Sequence, residues 1–127
     1  MNLANTRYLF RNFPFFHPEA PITESLMYYG FECGNGWFQL IKELCEELSV
    51  LNLGPDFRVI QVKQKLAGLR FYVNRIDEKN AEKVMKLIAI AETKSFKICE
   101  QCGKPGSKID QNGSLRTRCE DCRNKWD

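Results

Sequence analysis

The sequence predicts an α+β protein in which three helices pack on an antiparallel β-hairpin and a small zinc ribbon or knuckle closes the C-terminus. Three observations carry this. Apolar residues recur at three- and four-residue steps over 37–51 and again over 81–91. Two β-branched and aromatic runs, 56–65 and 69–75, flank a short glycine-containing connection. Two CxxC pairs stand near the end, separated by sixteen residues.

In chain order, the first sixteen residues carry Leu3, Tyr8, Leu9, Phe10, Phe13, Phe15 and Phe16, and read as a short helix that stops before Pro14. Pro18 and Pro21 mark a loop, after which Thr23, Glu24 and Ser25 begin a short helical turn ending near Gly30. From Gly36, the residues Trp37, Leu40, Ile41, Leu44, Cys45, Leu48 and Leu51 share one helical face, and Lys42, Glu43, Glu46 and Glu47 the other. Gly54-Pro55 is expected to end that helix. In the second hairpin run Leu69, Phe71 and Val73 alternate with Arg70, Tyr72 and Asn74, so one face packs and the other stays polar. Asp77-Glu78 open a third helix to about Ser95, with Ala81, Val84, Met85, Ile88 and Ala91 at helical spacing. Two units result: a core over 1–96, with the basic hairpin at 57–75, and a zinc module over 97–127.

The chain has 127 residues, 43% of them hydrophobic, enough for a core. No stretch approaches the roughly 18 apolar residues of a membrane helix, and the start lacks a secretory pattern, so a soluble cytoplasmic protein is expected. In that compartment thiols stay reduced, and CxxC pairs read as metal ligands rather than disulfides. The formal charge of +3 falls to nearer +1 once four thiolates surround a divalent ion, so overall basicity implies no partner. Its distribution is more informative. Residues 17–57 hold seven acids and one base, whereas 58–75 hold five bases and no acid.

Cys99-Glu-Gln-Cys102 and Cys119-Glu-Asp-Cys122 fit the template of a four-thiolate structural Zn2+ site. Each tight turn points two sulfurs at one ion, and two turns complete a tetrahedron with Zn–S distances of about 2.3 Å. Gly103 and Gly106 suit the first turn, and Asn112-Gly113 marks a hairpin between the pairs. The module offers only Ile98, Ile109, Leu115 and Trp126 as sizeable apolar groups. Ordering costs of about 1–2 kcal/mol per residue therefore need the metal, whose binding contributes roughly 10–16 kcal/mol.

Four thiolates leave no open position for water, so the metal is not expected to catalyse. A zinc deaminase is the sharpest enzymatic rival, through His17-Pro18-Glu19, but it lacks the proline before the first CxxC and leaves one cysteine pair unused. With a single histidine no nucleophilic triad is available, and no enzyme is predicted. Cys45 reads as a core residue. Cys33-Gly34-Asn35-Gly36 reads either as a turn into the helix or as a backbone anion site. The leading ligand-binding candidates are Lys63, Lys65, Arg70 and Tyr72. Cations beside an aromatic ring suit a nucleic acid or nucleotide-like ligand, and equally suit pairing with the acidic segment or protection of a strand edge.

The ordered set Cys33-Gly-Asn-Gly-Trp37-Phe-Gln-Leu-Ile41, Gln61 to Val73 and the terminal CxxC pairs resembles a family of small, largely uncharacterised bacteriophage and prophage proteins. The resemblance covers about residues 30–123. It departs at Ala67-Gly68, where the family carries a glycine pair. It implies a phage setting in the host cytoplasm and no particular activity. It also brings in a second reading: a host-defence inhibitor that binds a host protein, through the zinc module and the acidic helix 36–51, or sequesters a nucleotide signal.

Overall fold

A computed structural model describes residues 1–125, so Trp126, counted above among the apolar groups of the zinc module, lies outside the described residues. The chain is α+β. Helix α1 (Leu3–Asn12) starts where the Asn2 side chain accepts a hydrogen bond from the Asn5 amide, and ends ahead of Pro14. A single 3-10 turn, Met27–Tyr29, follows the loop. Ser25, rather than Thr23, organises its start by accepting from the Met27 amide at 3.1 Å.

Strand β1 (Phe31–Glu32) was not anticipated. It lies parallel to β2 (Arg58–Lys65), with Phe31 opposite Val62 and Glu32 opposite Lys63. A 3-10 turn, Asn35–Trp37, leads into α2 (Phe38–Val50). That helix ends at Leu51, before Gly54-Pro55, because Asn52 turns the chain with a left-handed φ of 52°.

Strands β2 and β3 (Gly68–Asn74) form the expected antiparallel hairpin, but its connection is Leu66-Ala67, both residues left-handed at φ 53° and 73°. Gly68 belongs to the strand. A Cβ there would stand 2.6 Å from the Phe96 ring, so the glycine serves packing rather than the turn. Helix α3 (Glu78–Ser95) is capped by Asp77, whose side chain accepts from the Asn80 amide. Val84, Ile88 and Ala91 face inward, whereas Met85 is exposed, against its expected place on the apolar face. A second hairpin, β4 (Ser107–Gln111) and β5 (Ser114–Arg118), lies between the two CxxC pairs, and Asn112-Gly113 form its tight turn, both at positive φ.

The core lies between α1, α2, α3 and the three-stranded sheet, around Leu9, Phe16, Trp37, Ile41, Leu48 and Val59. The N-terminal aromatics seal one end. Phe31 meets Phe10 and Phe16 at ring separations of 5.4 and 5.2 Å, and Phe57 meets Phe15 edge-on. Among the described residues no helix is long and apolar enough to cross a membrane.

Candidate metal centre

The last turn of α3 runs into the first cysteine knuckle. Ile98 bridges to Pro105, the Cys99 amide donates to the Lys104 carbonyl at 2.7 Å, and the Gly103 amide donates to the Cys99 carbonyl at 2.9 Å. Gly103 needs its φ of +84° to close this turn. Gly106 lets the knuckle lie against β5, since a Cβ there would come within 2.8 Å of the Arg118 backbone. The second knuckle closes through the Cys122 amide and the Cys119 carbonyl. The β4–β5 hairpin brings the two together.

The sulfurs of Cys99, Cys102, Cys119 and Cys122 all lie within 4.8 Å of one another, and those of Cys102 and Cys119 are 3.5 Å apart. A tetrahedral ion with metal–sulfur bonds of about 2.3 Å requires sulfur–sulfur edges of about 3.8 Å. The donor set therefore fits one metal ion. Cys99, Cys119 and Cys122 are buried and Cys102 is exposed. Burial raises the Cys99 thiol, but backbone hydrogen bonds from Cys119, Cys102 and Gln101 outweigh it and bring it down to about 7. Burial and the neighbouring thiols push Cys122 up to about 12. An incoming cation thus meets a readily ionised sulfur at Cys99 and has to displace the proton held at Cys122.

What the sequence did not reveal is how this module is seated. Glu100, inside the first CxxC, is 1% exposed. Its carboxylate accepts from the Gly34 amide at 3.0 Å and from the Arg116 guanidinium at 3.4 Å. Its carbonyl accepts from the Gly36 amide at 2.7 Å. The Trp37 indole donates to the Ile98 carbonyl at 2.9 Å, and the Thr117 hydroxyl to the Ala67 carbonyl at 2.7 Å. The anion at the Cys33-Gly34-Asn35-Gly36 turn is thus the chain's own carboxylate. Both glycines are needed there, because a Cβ would stand 2.4 Å from the Glu100 oxygen at position 34 and 2.0 Å from the Cys99 oxygen at position 36. A glycine pair directly before a tryptophan, with an acid placed inside a CxxC, was the available signal.

The other two cysteines are core groups. Burial, with the nearby Glu100 charge second, pushes the Cys33 thiol up to about 12, and burial holds Cys45 well above the ordinary thiol range. Iodoacetamide at pH 8 is therefore expected to leave both unmodified in the folded, metal-loaded protein and to reach them only in denaturant, as read by peptide mass spectrometry.

Lys63, Lys65, Arg70 and Tyr72 fall on one sheet face, because Lys63 pairs with Arg70 and Gln61 with Tyr72 across β2 and β3. Acids flank the cations. Glu32 stands opposite Lys63, and Arg70 pairs with Glu92 of α3 at 3.2 Å while donating to the Lys65 carbonyl. Arg58 is paired with Glu24. Lys63 and Lys65 have no carboxylate within 4.0 Å among the described residues. His17 pairs with Glu19 at 3.4 Å and stands outside the metal group. No protein family, curated protein or solved structure matches this chain, so the likeness to phage proteins rests on the sequence features alone.

Proposed function

We propose that this chain is a non-enzymatic binding protein in which a structural Zn2+, held by Cys99, Cys102, Cys119 and Cys122, fixes a surface for an anionic partner. The four-sulfur cluster carries the reading. A compact S4 set selects zinc or iron–sulfur chemistry, and a lone ion in it has no position left for substrate. The partner surface is the β2–β3 face. There Lys63 and Lys65 have no ion pair among the described residues, the Arg70 fork is held in place by Glu92, and Tyr72 is 41% exposed. A nucleic acid or a nucleotide-like ligand suits this chemistry.

The test is binding by the zinc-loaded protein, followed as the salt dependence of oligonucleotide affinity and as thermal stabilisation by free nucleotides. K63E/K65E is expected to weaken whichever ligand binds. For a single strand, losing two phosphate contacts lowers the log–log salt slope by about 1.4. Unchanged affinity in that variant would remove the sheet face from consideration.

A protein partner is the second reading, and one observation favours it. Tyr72 walls an open cleft of about 440 Å³ with Ile22, Leu26, Ile60 and Val73, and exposed Tyr28 and Tyr29 follow Leu26 in the chain. One exposed tyrosine in a largely apolar cleft, with two more exposed tyrosines close by in the chain, is the composition of an interface centre. A zinc-loaded protein with no affinity for any polyanion or nucleotide selects this reading, in the host-defence inhibitor setting that the phage resemblance implies.

A further inference from the structure

Where the β2–β3 turn meets the cysteine module, two hairpins meet at one aromatic ring. Gly68 of β3 lies against Phe96, and the Lys108 ammonium of β4 sits 5.8 Å from the centre of the same ring. Lys65 is paired with Gly68 across the hairpin. Lys94 and Lys97 flank Phe96 in the chain, and the Lys97 carbonyl accepts from the Gly106 amide of the first knuckle. Lys65, Lys94, Lys97 and Lys108 are all exposed, and none has a carboxylate within 4.0 Å among the described residues.

We infer that this junction is a phosphate-contacting surface continuous with the β2–β3 face, and that the ligand of both is single-stranded nucleic acid; the inference rests on the anionic-partner reading and extends it. The C-terminal end of a helix dipole accounts for a cation at Lys94, and the thiolate cluster for one at Lys97. Neither accounts for Lys65 and Lys108, which arrive from two different hairpins. Exposed cations on adjoining elements raise the local positive potential, and that potential draws an anionic ligand. Size selects a polymer. Tyr72 stands four residues from Gly68 along β3, about 13 Å at strand rise, so a mononucleotide on Tyr72 does not reach the Phe96 junction. A strand stacked on Tyr72 and tracking Lys63 and Lys65 does. The junction forms only where Thr117 and Phe96 hold the two hairpins together, which gives the metal a role in ligand binding without contact to the ligand.

The test uses the zinc-loaded full chain and a fluorescein-labelled single strand of about 20 nucleotides, read by anisotropy across a salt series. K94E/K97E/K108E is expected to bind at least about tenfold more weakly at low salt, with the log–log slope lower by about 2 for three lost phosphate contacts. K94Q/K97Q/K108Q, with unchanged zinc content and melting temperature, is expected to show the smaller loss of neutralisation alone. If both junction variants bind like the parent while K63E/K65E does not, the junction inference is overturned and the sheet-face reading stands. If the junction variants lose binding and K63E/K65E does not, the junction stands and the sheet face falls. A parent protein that ignores the strand but is thermally stabilised by free nucleotides overturns the junction and keeps the sheet face. One that responds to neither overturns both.

Discussion

Cys119→Ser is expected to abolish stoichiometric zinc binding and to unfold the module beyond α3 while leaving the helices and the three-stranded sheet folded. The two parts of the chain have unequal cores. The large fully buried side chains Trp37, Phe16, Phe57, Leu9, Ile41 and Val59 all precede the module. Past Lys97 the apolar groups Ile98, Ile109 and Leu115 are only partly buried. Three such side chains contribute a few kcal/mol of burial. Ordering the segment costs about 1–2 kcal/mol per residue, and zinc binding of roughly 10–16 kcal/mol supplies the remainder. Hydrogen exchange reads the outcome. Amides of Cys99, Glu100, Gly103, Gly106 and Gly36, whose acceptors belong to the module or its seat, are expected to lose protection together. Amides paired between β2 and β3 are expected to keep theirs. A strong chelator applied to the parent protein gives the same pattern, and acid favours it, because protons compete with the metal for the thiolates. Retained protection across the module in a zinc-free variant would show that the metal does not hold it.

Long amphipathic elements and close-range chemistry were legible in the sequence. The periodicity of α2 and α3, the acidic start of α3 at Asp77-Glu78, the Asn112-Gly113 turn and the cysteine spacing each state their meaning within a dozen or so residues. The misses are tertiary. Strand β1 is two residues long, too short to carry a period, and exists because β2 offers it an edge. Leu66-Ala67 takes a turn normally given to Asn or Gly. Its geometry is held by the Gln64 side chain on the Ala67 amide and by Thr117 on the Ala67 carbonyl, fifty residues away in the chain. The cations of the hairpin read as a single basic surface, yet Arg58 and Arg70 are matched by Glu24 and Glu92 from other elements. Glu100 was the largest omission at the site. An acid between two metal ligands reads as a solvated residue until Gly34 and Arg116 arrive to bury it.

Gly36→Ala separates the two roles of the cysteine module, holding its metal and docking on the core. The φ of Gly36 lies outside the left-handed region, so alanine meets no intrinsic backbone penalty there, and the usual entropic effect of Gly→Ala would stabilise the protein by about 0.4–1 kcal/mol. The new methyl, however, would stand 2.0 Å from the Cys99 carbonyl oxygen and 2.6 Å from the carbon and oxygen of Glu100. These are backbone atoms fixed by the first knuckle, so no rotamer change relieves the clash, and the two surfaces must part. Steric cost and the lost bonds from Gly34, Gly36 and Trp37 then outweigh the entropic gain, for a net loss of about 3 kcal/mol and a melting temperature lower by roughly 10 °C. Zinc stoichiometry is expected to stay at one, because the hydrogen bonds that shape the knuckles run within the module. Gly30→Ala is the control for φ alone. It sits at +73° with nothing within 4 Å, and is expected to cost only about 1 kcal/mol. A Gly36→Ala protein that melts with the parent would mean that the seat of Glu100 against the Gly34-Asn35-Gly36 turn is not what joins module to core. One that loses zinc as readily as Cys119→Ser would mean that docking and metal binding are a single event.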